Sequence, residues 1–183
     1  MNYLILSNFD THLFLGDYDP NNPTALATTV QELPNVLPFT PPELSKDVAR
    51  YRTLDGDGWE SIAPLGQSQS DMTLNFLRAD VGNAYTGIVG SDNYSILRNW
   101  IDSSTALGGQ ASAKWIYFVR PRGTMYEGVA FSCIGSNFAD GESGENGQEF
   151  SVTATPFGPQ VPLNVTRNPS TMGWTFSRAD ATT

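Results

Sequence analysis

The chain lacks the residues that several familiar kinds of site require. Of its 183 residues, only Cys133 is a cysteine and only His12 is a histidine. A disulfide within the chain is therefore excluded, and so is a zinc site built from several Cys and His ligands of one copy. Cys133 lies in an expected strand between Ser132 and Ile134, a setting that predicts a buried, unreactive thiol.

Long apolar runs and positive charge are also scarce. No apolar run reaches the roughly 20 residues that span a bilayer, so we expect no membrane partner. The N-terminal sequence MNYLILSNFD has no basic residue before its short apolar run, which predicts synthesis in the cytoplasm without a secretory signal. The net charge is −9, from 10 basic and 19 acidic residues. Nucleic-acid phosphates would be repelled over most of such a surface, which makes the chain a poor candidate for tight DNA or RNA binding.

The amino-acid composition of the chain favours a β protein with a packed core. Hydrophobic residues make up 39% of the chain and aromatic residues 11%, enough for a core. A chain of this length buries roughly 70% of its unfolded surface. The 17 glycines and 12 prolines, together with abundant Ser and Thr, are typical of short strands joined by turns.

Alternation of apolar and polar residues predicts the strands. DVARYRTL (47–54), SQSDMTLNFLR (68–78) and GQEFSVTATPFGP (147–159) each alternate, as half-buried strands do. KWIYFVR (114–120) is apolar on both faces, which predicts a strand covered on both sides.

One segment has the period of a helix. In residues 91–104, Ile96, Leu97, Trp100 and Ile101 form one apolar stripe, with Ser91 or Asp92 as the N-cap. The predicted fold class is therefore mostly β, a β-sandwich or open barrel with one flanking α-helix. We divide the chain into an N-terminal segment and proline-rich connector (1–45), a β core (46–160) and a C-terminal arm (161–183). Within the core, FADGESGENGQE (138–149) is expected to be a mobile acidic loop.

The motif DGDGWE has the aspartates of a calcium loop but not its remaining ligands. Asp55 and Asp57 match the first and third positions of an EF-hand loop. The fifth position requires an oxygen ligand, the sixth a glycine and the twelfth a bidentate acid. These positions are occupied by Trp59, Glu60 and Gly66, respectively, so none of the three requirements is met. We interpret the motif as a turn between strands.

Other catalytic patterns are absent as well. No G-x-S-x-G motif occurs, and His12, beside Leu13 and Phe14, is interpreted as a packed or surface residue. We therefore predict no catalytic residue, no metal and no cofactor. A hydrolase using an Asp/Glu pair has the least support, because no such pair falls on adjacent rigid strands.

The four tryptophans fall into two groups. Trp100 and Trp115 lie on inward-looking stripes and are predicted core residues. Trp59 and Trp174 lie in the turn and the C-terminal arm, where they pack either within the chain or against a neighbouring subunit.

Several segments, taken in order, resemble a known family. The proline-rich PPELSKD, a strand, the turn TLDGDGW and APLGQSQSDMTLNF precede the short helix; IYFVRPRGTMYEGVAFS and EFSVTATPFGPQ follow it. Across about residues 40–160 this order resembles the major tail tube proteins of long-tailed (siphovirus-like) bacteriophages.

The resemblance implies a structural protein of the virion, made in the host cytoplasm. It implies a β-sandwich that assembles with copies of itself into hexameric rings, which stack into a hollow tube joined to other tail proteins at its ends. Double-stranded DNA passes through that tube without specific binding. The tube of type VI secretion systems is similar in fold and gives an alternative role.

Two sets of residues are assigned to this assembly as hypotheses. The polar sides of two strands carry no Lys or Arg and are expected to face the bore: Gln69, Asp71, Thr73, Asn75, Glu149, Ser151 and Thr153. The long turn is expected to contact the next ring through Asp55, Asp57, Trp59 and Ile62, because its apolar residues exceed what a solvated loop needs.

A monomeric β-sandwich that binds carbohydrate is the alternative from another class. Its sugar platforms would be Trp59, Tyr85 and Tyr94.

Overall fold

The protein is a curled, open β-sheet with one helix packed on it. The computed structural model describes residues 11–34, 36–37, 42, 44–52, 60–77, 93–106, 113–144 and 147–179. These contain helix α1 (Asn93–Ala106) and ten strands: β1 His12–Asp17, β2 Val30–Leu33, β3 Leu44–Arg52, β4 Glu60–Gln69, β5 Met72–Leu77, β6 Lys114–Arg122, β7 Met125–Gly144, β8 Gly147–Pro156, β9 Val161–Arg167 and β10 Trp174–Arg178. The mostly β class with one helix is confirmed, and the sheet curls into a half-barrel.

Eight of the ten described strands share one antiparallel sheet, and β3 and β4 form a second. The order of the larger sheet is β10-β9-β7-β6-β1-β2, and β8 pairs with both β7 and β5. The first half of β7 pairs with β6 and β9, while its second half pairs with β8. The expected N-terminal segment therefore supplies β1 and β2, and the expected C-terminal arm supplies β9 and β10.

Two apolar clusters lie on opposite faces of the central strands β1, β6 and β7. The first cluster joins these strands to α1, β5 and β8, and includes Leu13, Trp100, Ile116 and Val152. The second lies inside the half-barrel and joins them to β9 and β10. Strand β6 is thus covered on both sides, by the helix layer on one side and by β9 and β10 on the other, as its sequence predicts.

The helix is seated where β7 carries a glycine. Leu97 is fully buried, Trp100 is 2% exposed and Ile101 is 7% exposed, so the predicted stripe faces the core. A Cβ atom at Gly135 would lie 2.2 Å from Cδ1 of Ile101 and 3.2 Å from Cε2 of Trp100. The missing side chain at Gly135 is what allows the close approach. Among the described residues, no helix is long and apolar enough to cross a membrane.

The prediction of a mobile acidic loop at residues 138–149 is wrong. Residues 138–144 and 147–149 continue β7 and β8 as a paired hairpin that extends to Gly144 and Gly147. Phe138 stacks on Phe150 at 5.4 Å and meets Tyr94 edge-on at 5.2 Å. These ring contacts give the strand a packed face, which its glycine-rich and acidic sequence does not reveal.

Candidate assembly surfaces

Strands β5 and β8 bring most of the predicted bore residues onto one surface. Thr73 lies opposite Thr153 and Asn75 opposite Ser151, while Glu149 lies opposite Leu77. Thr73 and Glu149 are exposed, and the other three are partly exposed. We call this surface the polar face and define it by Thr73, Asn75, Glu149, Ser151 and Thr153.

The opposite side of the same two strands belongs to the core. Met72, Leu74 and Phe76 of β5 and Phe150, Val152 and Ala154 of β8 are each at most 3% exposed. They pack in one cluster with the helix residues Leu97, Trp100 and Ile101. The polar face therefore points away from α1, as the alternation of each strand requires.

Two predicted bore residues lie at the margin of the polar face or off it. Asp71 is exposed and precedes β5 directly. Gln69 instead ends β4, and its side-chain amide donates a 3.0 Å hydrogen bond to the carbonyl of Gly158. Its Oε1 atom is buried and has no hydrogen-bond partner. Gln69 thus ties β4 to the segment after β8.

The predicted contact between rings falls mostly outside the described residues. Asp55, Asp57 and Trp59 are not among them. Ile62 lies in β4, where its backbone is opposite Arg50 of β3. Strands β3 and β4 form a two-stranded sheet that pairs with no other described strand.

Cys133 and His12, the thiol and the imidazole considered as possible reactive groups, both lie among packed side chains. Cys133 is fully buried, and burial raises the pKa of its thiol above the usual 9.0. His12 is partly buried, and its Nδ1 lies 2.6 Å from Oε1 of Glu32. The buried thiol is confirmed. Among the described residues, no three His, Cys, Asp or Glu side chains lie close enough to hold a metal ion.

Trp174 is partly exposed and packs within the chain, which is one of the two arrangements that its sequence position allows. Its ring lies 4.7 Å from that of His12, 5.5 Å from Phe14 and 4.9 Å from Tyr126, with the guanidinium of Arg167 at 5.0 Å. Trp100 and Trp115, each 2% exposed, are core residues as predicted.

Among the three expected sugar platforms, only Tyr94 is described. It contacts Phe138 and Phe150 edge-on, each at 5.2 Å, and its hydroxyl lies 3.3 Å from Oδ2 of Asp140. Its ring therefore contributes to the contact between α1 and the hairpin. Trp59 and Tyr85 lie outside the described residues.

A further surface is visible only in the folded chain. Between β2 and β10 runs a groove of about 500 Å³, lined by Phe14, Ala27, Thr28, Thr29, Val30, Glu32, Trp174, Thr175 and Phe176. We call it the edge groove. The sequence predicts a C-terminal arm for residues 161–183, whereas the structure places Trp174 and Phe176 in strand β10, where both line this groove.

Close to the edge groove, Tyr117 holds the loop between β1 and β2. Its hydroxyl oxygen accepts a 2.8 Å hydrogen bond from the backbone N–H of Ala27. Burial raises the pKa of the Tyr117 phenol, and this hydrogen bond partly offsets the rise. The loop that forms one wall of the groove is thus fixed to the central strand β6.

No protein-family model and no curated protein matches the sequence. Solved structures do share the fold. A chain of the six-fold symmetrised cryo-EM structure of the anti-feeding prophage (AFP) baseplate matches with a TM-score of 0.58 at 8% identity, over 90% of this chain and 98% of that one.

A second match comes from the cryo-EM structure of an extracellular contractile injection system, the PVC sheath/tube terminator in its extended state. The TM-score is again 0.58, at 15% identity, over 88% of this chain and 97% of that one. At such identities these likenesses show a common fold.

Proposed function

We propose that this chain is a structural subunit of a phage tail or tail-like injection apparatus, in which copies form hexameric rings that stack around a hollow bore. The observation that supports this most is the fold match, which takes in at least 88% of this chain and 97% of each matched chain. One matched chain comes from the six-fold symmetrised baseplate of the anti-feeding prophage, and the other from the sheath/tube terminator of an extracellular contractile injection system.

We place the polar face on the wall of the bore. Neither β5 nor β8 contains a Lys or Arg, whereas Glu149 and the adjacent Asp71 are exposed carboxylates. With a Debye length of about 8 Å at physiological salt, carboxylates repel passing phosphates weakly and only near the wall. Uncharged Thr, Ser and Asn side chains supply no strong phosphate site between them. DNA can then move along the wall without being held.

The β3–β4 hairpin is the element we assign to contacts between rings. A two-stranded hairpin alone is marginally stable in water and needs another surface to pack against. Among the described residues, no third strand pairs with it. A neighbouring ring would supply the surface through Ile62 and the turn with Asp55, Asp57 and Trp59, as proposed from the sequence.

Gel filtration with light scattering, followed by negative-stain microscopy, tests the function directly. A ring has six times the 19.9 kDa mass of one chain, and stacked rings have more. We expect ring-sized particles with a central hole whose population rises with protein concentration. A single 19.9 kDa species at the highest attainable concentration would contradict the proposal and would favour the monomeric binding module.

A position inside a contractile or type VI-like system is the second candidate. The match to a chain of a sheath/tube terminator assembly favours it. Antibody labelling of intact particles tests the terminator position, because a tube subunit is labelled along the whole tail and a terminator or baseplate subunit only at one end.

A further inference from the structure

Large apolar side chains that the folded chain leaves in solvent lie at the two ends of its main sheet. Among the residues whose exposure the structure gives, three are of this kind: Met125 at 70%, Met172 at 57% and Phe157 at 45%. Both methionines lie at the end where β1 begins, and Phe157 lies at the end where β1 finishes. Strand β6 runs between these ends over nine residues, or about 27 Å. The two ends of one copy therefore cannot contact each other.

The first end consists of two neighbouring turns. Met125 directly follows the turn between β6 and β7, and Met172 lies in the turn between β9 and β10. Because β7 pairs with β9, the two turns lie side by side. The turns and the strand residues that flank them, 120–127 and 165–174, contain three arginines and one glutamate. We call this the methionine end and define it by Arg122, Met125 and Met172.

The turn that holds Met172 is well bonded but unfavourable for a methionine. The side-chain oxygen of Asn168 accepts hydrogen bonds from the backbone N–H groups of Ser170 at 2.8 Å and Thr171 at 3.2 Å, and the Asn168 N–H donates to the carbonyl of Gly173 at 2.8 Å. Met172 has a φ of 56°, a left-handed conformation that residues other than glycine rarely adopt. Glycine would fit this position without strain, so the fold of one copy does not account for the methionine.

The opposite end presents an aromatic pair beside carboxylates. The ring of Phe157 meets that of Tyr18 edge-on at 5.2 Å, and the Phe157 backbone N–H donates to the carbonyl of Ser132 at 3.0 Å. Asp17 and Asp19 flank Tyr18. The side chain of Asp17 is 84% exposed, and Asp19 is exposed and forms no ion pair within the part of the chain that the structure describes. We call this the phenylalanine end and define it by Asp17, Tyr18, Asp19 and Phe157.

We propose that the methionine end of one copy docks on the phenylalanine end of the next, so that copies join head to tail. Methionine sulfur makes favourable contacts with aromatic rings at about 5 Å, and the aromatic pair offers such contacts to both methionines. Arg122 comes opposite Asp19 of the next copy and forms a charge pair across the contact. The inference rests on the proposed function, because it names the surfaces through which copies assemble.

Charge favours contact between unlike ends over contact between like ends. Two methionine ends would bring exposed arginines together, and two phenylalanine ends would bring carboxylates together, which is unfavourable across an interface. The other charged groups at these ends have partners within one copy: Lys114 with Asp17, Arg178 with the carbonyl of Thr24, Glu127 with Arg120 and Arg122, and Glu32 with His12. Since Glu127 serves two arginines, positive charge remains at the methionine end. A contact between unlike ends can repeat from copy to copy, as a closed ring or an open stack requires.

Charge reversal at each end tests the proposal. Arg122→Glu places a carboxylate opposite Asp19 of the next copy, and Asp19→Arg places a guanidinium opposite Arg122. By light scattering, each variant alone should need about tenfold more protein than the wild type to reach half assembly. In an equal mixture, every contact between unlike variants again pairs opposite charges, so assembly should return close to the wild-type concentration. A six-membered ring accommodates this alternation, because six is even.

Controls separate the contact from net charge and from folding. Asn164 is exposed in the middle of β9, between the two ends. Asn164→Glu and Asn164→Arg change the net charge there and should assemble as the wild type does. Urea unfolding of each variant reports that its fold is intact.

A second variant does not depend on charge. Met172→Gly removes the side chain and relieves the strain at φ 56°, so the urea midpoint should not fall. Combined with Met125→Ser, it should nevertheless raise the concentration at half assembly by about tenfold, because the sulfur–aromatic contacts are lost. Unchanged assembly of this double variant would overturn the proposal.

The mixing experiment also separates this inference from the proposed function. Single charge variants that assemble as readily as the wild type would overturn the inference. A mixture that does not recover, although both variants are folded, would overturn it too. In both cases wild-type rings would leave the proposed function intact, whereas a wild type that stays at 19.9 kDa at every concentration would overturn both.

Discussion

At the scale of single residues, Asn93 connects three parts of the chain. It is fully buried at the start of α1, and its amide donates hydrogen bonds to the carbonyls of Pro34 at 2.9 Å and Leu77 at 3.3 Å. Asn93→Ala leaves two partly buried carbonyls without this donor and should lower the free energy of unfolding by about 1–3 kcal/mol. Urea unfolding measures it, with the exposed Asn164→Ala as a control that should change little. Asn93→Asp should cost more than Asn93→Ala, because it places acceptors against both carbonyls.

Cys133 gives a residue-scale prediction about pH. Burial raises the pKa of its thiol, so the folded chain keeps the proton at a pH where the unfolded chain has lost it. The unfolded state then binds fewer protons, and the free energy of unfolding falls as pH rises above the usual thiol pKa of 9.0. The stability of the wild type relative to Cys133→Ala should be constant below pH 8 and fall by about 1.4 kcal/mol per pH unit above 9.

Urea unfolding of both proteins between pH 7 and 10.5 checks this. Taking the difference between them cancels the contribution of Tyr117, whose pKa is also raised. A constant difference up to pH 10.5 would mean that the thiol ionises in the folded chain.

At the scale of elements, the contact of α1 with β7 depends on Gly135. A methyl group there would lie 2.2 Å from Cδ1 of Ile101, so Gly135→Ala should lower the free energy of unfolding by about 1–3 kcal/mol. Ile101→Val removes that Cδ1 atom and alone costs about 0.5–1.5 kcal/mol. In the double variant, the loss should be smaller than the sum of the two single losses. A strictly additive result would show that α1 does not press on Gly135.

The β7–β8 hairpin shows at this scale how the sequence prediction went wrong. Glycines and acidic residues predict a solvated loop, yet Phe138 and Phe150 stack and Arg98 lies 5.2 Å from the Phe138 ring. Contacts between segments distant in sequence outweigh local propensity here, as is common for strands.

At the scale of the whole molecule, the proposed place of the polar face on the wall of the bore gives a prediction about DNA. Thr73→Lys with Thr153→Lys places two cations opposite each other, one at an exposed and one at a partly exposed position, so rings should still form. Duplex DNA should then bind to the assembled particles, and the binding should weaken steeply between 50 and 200 mM salt. The wild type and Thr73→Gln with Thr153→Gln should bind little. Fluorescence anisotropy with a labelled duplex measures this, and loss of ring assembly in the Lys variant alone would mean that the polar face is buried between subunits.

The sequence by itself determined the class of fold, the stripe of α1 and the two-sided burial of β6, because these follow from the local period of apolar residues. It also determined which sides of β5 and β8 are polar. Only the tertiary structure decided that these sides meet in register, that residues 161–178 close one side of the half-barrel, and that Trp174 and Phe176 line a groove. The physical reason is that strand pairing and sheet curvature depend on contacts between residues far apart in the chain, such as Phe14 with Phe176, which no local pattern specifies.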